Sequence, residues 1–191
     1  METAVLNNPP SKIQLHLGSG GRNIHGWINV DGRDDVNADA VGDITNLGWL
    51  VPQDSVDTIY ACHVLEHFKD PYTVLCDWRH RLKHGGTLRL SVPDMEAVME
   101  YYQENGRLDD LAPFIWGGKK YDYDYHFTGW DEDCLTNLLL KAGFDKVRKW
   151  DTFKSEHFYV DDYSKAFLPH MDFKNGRQMS LNLEAVAKKD G

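Results

Sequence analysis

Cysteine is scarce in this chain, with Cys62, Cys76 and Cys134 the only three in 191 residues. An odd, widely spaced set makes neither a disulfide framework nor a paired zinc knuckle, so a reducing compartment is expected and the core must hold the fold. Long apolar runs are missing too. No stretch approaches the roughly 20 apolar residues of a membrane span. Met1 to Lys12 lacks the basic region and following apolar run of a secretory leader. Basic side chains are outnumbered, 21 against 30 acidic, for a formal charge of −9. That balance argues against a nucleic-acid backbone as main partner, because phosphate binding is driven by basic patches, and against an anionic membrane surface. The expectation is a soluble, cytoplasmic protein with no nucleic-acid and no membrane partner. Its length suits a single domain over residues 1–191, large enough to bury roughly 70% of the surface of the unfolded chain.

What is present is an alternation of apolar runs and helical patterns, the signature of a mainly parallel sheet covered by helices. Ile13 to Leu17 reads as a strand stopped by Gly18-Ser19-Gly20-Gly21, and Trp27 to Val30 as a second stopped by Asp31-Gly32. Val56 to Ala61 and Thr87 to Val92 follow, then Lys146 to Trp150 and an alternating Met179 to Ala187. Helical spacing places Leu75, Trp78 and Leu82 on one stripe of Tyr72 to Lys83, with Gly85-Gly86 as the stop. Asp94 to Asn105 and Asp131 to Ala142 are two further helices. Leu108 to Gly129 reads as a long irregular insertion rich in aromatics, and such segments inside a folded unit usually carry function. It is expected to form a lid over a substrate. Residues 151–178 make a second long connection.

The chemistry begins at the glycine turn. Glycines after a strand let the backbone approach a ligand closely, and a carboxylate ending the next strand can accept both hydroxyls of a ribose. Pyrophosphate cofactors and S-adenosylmethionine both use such a turn. A pyrophosphate sits on a helix N-terminus, so its fingerprint needs a third glycine running into a full helix and an acid about 20 residues on. Here the third glycine position is Asn23, Asp31 follows Gly18 by only thirteen residues, and Ile24-His25-Gly26 interrupts the space for a helix. A cofactor without phosphates tolerates that loss.

Further along stand Gly42-Asp43-Ile44-Thr45, then Ser55-Val56-Asp57, then His63-Val64-Leu65-Glu66-His67. Arg81-Leu82-Lys83-His84-Gly85-Gly86 leads into Ser91-Val92-Pro93-Asp94, and Leu138-Leu139-Leu140-Lys141-Ala142-Gly143-Phe144 follows. In this order, from Ile13 to Phe144, the motifs resemble those of class I, seven-stranded, Rossmann-like S-adenosylmethionine-dependent methyltransferases, in particular the small bacterial type 11-like group. His16, Asn23 and the 108–129 insertion depart from the family pattern. The resemblance implies an α/β fold with a doubly wound, mostly parallel sheet and S-adenosylmethionine as cofactor. It implies that Leu17, Gly18, Ser19 and Gly20 line the methionine part, Asp31 takes the ribose hydroxyls, and Asp43 and Ile44 meet the adenine. His63 would approach the methionine end. Glu66 and His67 read equally well as residues capping the next helix, where a carboxylate suits the dipole.

Methyl transfer is an in-line displacement on a sulfonium, so the protein supplies alignment, plus a base if the nucleophile is a hydroxyl. No metal is assigned from the sequence. His126, in the aromatic insertion, is the candidate base, with Asp94 beside it in role; Asp94 reads equally well as a helix N-cap. His157 and His170 are weaker candidates. Asp122, Asp124 and His126 lie at two-residue spacing and read as a solvated loop before a metal site. Tyr121, Tyr123, Tyr125, Trp116 and Trp130 offer a stacking wall or a packed lid. The expected activity is methylation of a small molecule or glycan, at oxygen. Its rivals are a dinucleotide-dependent oxidoreductase, a non-catalytic cofactor-binding module, and an aminopropyl transferase using Asp122 and Asp124.

Overall fold

The structure, a computed structural model, describes residues 12–189. The reading of Met1 to Ser11 lies outside the described residues. Strand β1 (Gln14–Leu17) runs to the glycine turn, and β2 (Ile28–Asp31) lies parallel to it. No helix joins them. The crossover is instead tied down by the Asn29 carboxamide, whose Oδ1 accepts from the Ile24 amide at 2.7 Å while Nδ2 donates to the Ile24 and Trp27 carbonyls at 3.2 Å. A buried loop must pair its backbone groups, and one side chain does so here in place of a helical ladder.

Beyond a short β3 (Ala40–Val41) comes β4 (Val56–Cys62), then helix α1 (Pro71–Arg81), opened by Asp70, which accepts from the Thr73 amide at 3.2 Å. Proline follows the cap, where its missing N–H costs nothing. The helix ends two residues earlier than the spacing predicts, because Leu82 turns extended and begins β5 (Leu82–Pro93), pairing with Val56. Gly85-Gly86 therefore lies inside the strand, within a register shift, rather than at a helix end.

The chain continues through α2 (Met95–Asn105), closed by Gly106, and α3 (Leu108–Trp116). Helix α3 corrects the expectation of an irregular segment from Leu108; only the part after Gly117 is irregular. Next come α4 (Glu132–Lys141), β6 (Phe144–Lys149), a two-stranded ribbon of β7 (Phe167–Leu168) and β8 (Arg177–Gln178), and finally β9 (Ser180–Ala187). The seven-stranded sheet has the order β3-β2-β1-β4-β5-β9-β6, parallel except for β9, which is antiparallel to both neighbours. This is the Rossmann-like, mostly parallel arrangement expected.

Its core joins Leu15, Leu17, Ile59, Leu88 and Leu90 of the sheet to Leu75 and Trp78 of α1, all essentially inaccessible. The Trp78 indole N–H donates to the Ile44 carbonyl at 2.7 Å, so the same side chain that fills the core also fixes the loop after β3. Trp130 belongs to this core too, which removes it from any stacking wall. The cysteines are unpaired, and no helix among the described residues is long and apolar enough to cross a membrane.

His157 is packed in a box of Trp27, Tyr60 and Trp150, with ring centroids 4.3 to 5.7 Å away and no partner for either nitrogen. Burial, helped by Arg89 and opposed by Glu156 and Asp162, lowers its pKa to about 4. The unfolded chain thus takes up a proton below about 6.5 that the folded chain refuses, so stability is full above that pH and falls by about 1.4 kcal/mol per unit on the way down to 4. His157→Phe is expected to fold and to lessen that acid loss by this amount. Denaturant midpoints with equal slopes from pH 6.5 to 4 in both proteins would contradict it.

Candidate active site

The carboxyl ends of β1, β2 and β4 open on a cleft of about 650 Å³. Six of the eight residues expected to bind a cofactor line it: Gly18, Gly20, Asp31, Asp43, Ile44 and His63. Leu17 and Ser19 do not. Leu17 is wholly inside the core, and Ser19 is buried with its amide bonded back to Val30. Gly18 has φ +65°, and a Cβ there would fall 2.3 Å from Val64 Cγ2, so the backbone itself forms this wall. Asp31 stands opposite, its Oδ2 accepting from the Gly20 amide at 2.7 Å and Oδ1 from the Arg33 amide at 3.0 Å. The carboxylate thereby fixes the glycine turn while its edge faces the cleft.

Asp43 is exposed on the cleft wall, with Oδ1 accepting from the Thr45 amide at 2.8 Å and its hydroxyl at 2.6 Å. Gly42, before it, is needed by the Trp49 ring, which a Cβ would meet at 2.4 Å. Arg33, Val64 and Phe68 also line the cleft and were missed in the sequence, since nothing in their spacing marks them. Across the mouth, Tyr121 and Tyr123 come from the loop after α3, and the Arg33 guanidinium stacks 4.2 Å from the Tyr121 ring. Trp116 and Tyr125 are exposed away from the cleft lining.

One end of the cleft is polar. His63 follows β4 at φ +53°, and His63 and His67 line the wall there. Between them, Glu66 sits in a single 3-10 turn, fully buried, with neither carboxylate oxygen hydrogen-bonded among the described residues. It caps nothing; Asp70 performs that role for α1. Glu66 Oε1 is approached by His63 Nδ1 at 3.4 Å and by His126 Nε2 at 3.9 Å. The rings of His67 and His126 meet edge to face at 4.8 Å.

Partners fix the proton positions. Ser180 Oγ donates to the Tyr163 carbonyl at 2.6 Å, so it must accept from His63 Nε2 at 2.8 Å. His67 Nδ1 faces the Tyr125 carbonyl at 3.1 Å, and His126 Nδ1 the Phe114 carbonyl at 2.9 Å. Carbonyls only accept, so both histidines donate there. Burial pushes Glu66 up to about 8, holds His63 near 3 and His126 near 4, and lowers His67.

The other candidates are placed elsewhere. Asp94 is the N-cap of α2, its Oδ1 accepting from the Glu96 and Ala97 amides at 3.0 and 3.2 Å, and it does not line the cleft. Asp124 organises the loop, accepting from the Gly118 and Lys120 amides at 3.2 and 3.1 Å. His157 is in its aromatic box and His170 is on the surface.

A family model described as a methyltransferase domain matches residues 11–149. No curated protein matches the chain. Among solved structures, an S-adenosylmethionine-dependent methyltransferase from Thermotoga maritima superposes with a TM-score of 0.61 at 17% identity, over 94% of this chain and 84% of that one. A chain from the complex of the Haloferax volcanii Trm112 methyltransferase activator with a methyltransferase gives 0.57 at 17% identity, over 94% and 83%. An S-adenosylmethionine-dependent methyltransferase from Mesorhizobium loti gives 0.53 at 16% identity, over 91% and 90%.

Proposed function

The chain belongs to the methyltransferase-domain family and is an S-adenosylmethionine-dependent methyltransferase, and from that premise we propose that its cleft holds the cofactor along Gly18, Gly20, Asp31, Asp43, Ile44 and His63 and methylates an oxygen of a small molecule or glycan. The residues present fit the cofactor. The cleft volume lies in the range of small-molecule sites. Gly18 and Gly20 line the cleft as bare backbone, and Asp31 and Asp43 offer carboxylates to donors such as ribose hydroxyls and an exocyclic amine. When bound, S-adenosylmethionine supplies a methyl group already activated on a sulfonium.

The observation that carries the reading is the glycine turn joined to Asp31 with no helix behind it. A pyrophosphate would find no helix N-terminus there, which removes the support for a dinucleotide oxidoreductase. The Asp124 oxygens are taken by loop amides, which removes an acid the aminopropyl reading would use. Oxygen is favoured because a hydroxyl must give up its proton. The polar end of the cleft is lined by His63 and His67, each with one ring nitrogen left as an acceptor. The loop after Gly117 would cover the acceptor as a lid.

S-adenosylmethionine or its demethylated product is expected to raise the melting temperature, adding about 2.7 kcal/mol at 100 times the dissociation constant, and NAD to leave it unchanged. Asp31→Ala should weaken the cofactor by roughly ten- to a hundred-fold in titration calorimetry, since hydrogen bonds to a charged group contribute about 1.5–3 kcal/mol. Stabilisation by NAD alone would overturn the cofactor site. Unchanged affinity in Asp31→Ala would leave that residue as a brace for the glycine turn.

A further inference from the structure

We propose that Glu66, His67 and His126 form a binding site for one divalent transition-metal cation of the zinc class at the polar end of the cleft. One ligand atom from each of the three lies within 4.8 Å of the other two. Around a tetrahedral cation the ligand atoms stand about 3.4 Å apart, so closure needs side-chain shifts of about an ångström. The donor set of two imidazoles and a carboxylate is one that zinc takes readily.

The hydrogen-bond directions around the cluster point to the same ligand. Each histidine of the set gives its Nδ1 proton to a backbone carbonyl, His67 to Tyr125 and His126 to Phe114. That leaves both Nε2 atoms as lone pairs, the tautomer in which histidines bind metals, with the carbonyls in the orienting role that outer partners of such ligands play. His63 closes the far side of Glu66 with a third lone pair, on Nδ1, because its Nε2 proton goes to Ser180. The Glu66 oxygens are buried without a hydrogen-bond partner among the described residues. His63, Glu66 and His126 thus converge with acceptors, and a ring nitrogen of His67 lies within 4.8 Å of the Glu66 and His126 ligand atoms. A buried carboxylate without a donor costs several kcal/mol, and a single proton on Glu66 would satisfy one of these contacts where a cation satisfies the three ligands at once. Three protein ligands leave a fourth position free, as in metal sites that bind a substrate or water. His67 lines the cleft, so that position is reached from it and takes an oxygen donor. The inference stands on the cluster and not on the identity of the methyl acceptor.

The test uses Zn²⁺ as the probe on the full chain after chelator treatment and dialysis. One equivalent is expected to bind in calorimetry and raise the melting temperature, and Co²⁺ should give visible ligand-field absorption from imidazole coordination. Glu66→Gln and His126→Ala should each weaken Zn²⁺ by more than about a hundredfold, beyond the ten- to hundredfold that loss of an orienting partner costs. His67→Asn, at the cleft wall, removes a ligand nitrogen without opening the buried part of the cluster and should do the same. His170→Ala, on the surface, should change nothing. Folding of each variant is checked by circular dichroism. Absence of stoichiometric zinc in the wild type would show that a proton alone holds Glu66 and would overturn the site. Zinc retained in Glu66→Gln and His67→Asn, or lost in His170→Ala, would mark adventitious surface binding and overturn it equally.

Discussion

Replacing His126 by alanine is expected to cut turnover by about a hundredfold while leaving S-adenosylmethionine affinity nearly unchanged. The two halves of this expectation have separate causes. His126 is absent from the lining of the cleft, and every residue assigned to the cofactor lies on other segments, so nothing that holds the cofactor is touched. Its Nε2 instead stands 3.9 Å from Glu66, and its ring packs on His67, which does reach the cleft. His126 is therefore a positioning residue that acts on the acceptor end through these two neighbours. A purely structural role would lower the melting temperature and spare kcat. The measurement is transfer of label from methyl-labelled S-adenosylmethionine into the acceptor, first found in a lysate by mass spectrometry, with kcat and KM then separated. A loss of about tenfold, or a change in KM alone, would return His126 to a lid-supporting role and favour nitrogen, sulfur or carbon over oxygen as the methylated atom.

The runs of β1, β2 and β5 end at a glycine, an aspartate and a proline, which made them legible, and the bounds of β1, β2, β4 and β9 agree with the structure to within a residue or two. The failures have local causes. Leu82 fits the helical stripe of α1, but pairing with Val56 buries it completely in an extended conformation, and that tertiary contact wins. Helix α3 was hidden by Pro113, which removes one bond of its ladder, and by the aromatic tract that follows. Its stripe of Leu108, Leu111 and Ile115 was readable at helical spacing. Beyond β6, the ribbon strands β7 and β8 are two residues each, too short for any period to show.

The cofactor side of the site was more legible than the acceptor side, for a physical reason. Glycine turns and strand-end carboxylates are local features, fixed within a few residues, so Gly18, Gly20 and Asp31 stood out in the sequence, while Asp43 followed from the family resemblance. The acceptor side depends on a contact across about 60 residues of sequence. His126 reaches Glu66 only because Phe127 donates its amide to the Glu66 carbonyl at 2.8 Å and the loop folds back on α3. In the sequence, Glu66 read as readily as a helix cap, and His126 was the candidate base, at two-residue spacing from Asp122 and Asp124 in what read as a solvated loop. The fold turns His126 from those acids toward a buried carboxylate, and it gives Asp94 to the start of α2.

The last expectation separates two glycines of one turn. Gly18→Ala should be severe, destabilising the protein by about 2–5 kcal/mol and weakening S-adenosylmethionine by more than about a hundredfold, whereas Gly20→Ala should cost only about 1–2 kcal/mol. Both residues have positive φ, +65° and +55°, and so both carry the left-handed cost of adding a side chain. Space distinguishes them. A Cβ on Gly20 would find only the end of the Arg22 side chain at 3.8 Å, but on Gly18 it would press into Val64 Cγ2 at 2.3 Å, and Val64 is itself buried. Relief would require the turn to move out, into the volume assigned to the cofactor. In the double variant Gly18→Ala, Val64→Ala the overlap is gone while the backbone strain stays, so stability should recover toward that of Gly20→Ala. For a chain of this length each kcal/mol corresponds to about 2–4 °C in melting temperature, so differential scanning calorimetry resolves the three proteins. Equal melting temperatures for Gly18→Ala and Gly20→Ala would mean that Val64 yields freely, and the close approach of the Gly18 backbone would then lose its role in shaping the cleft.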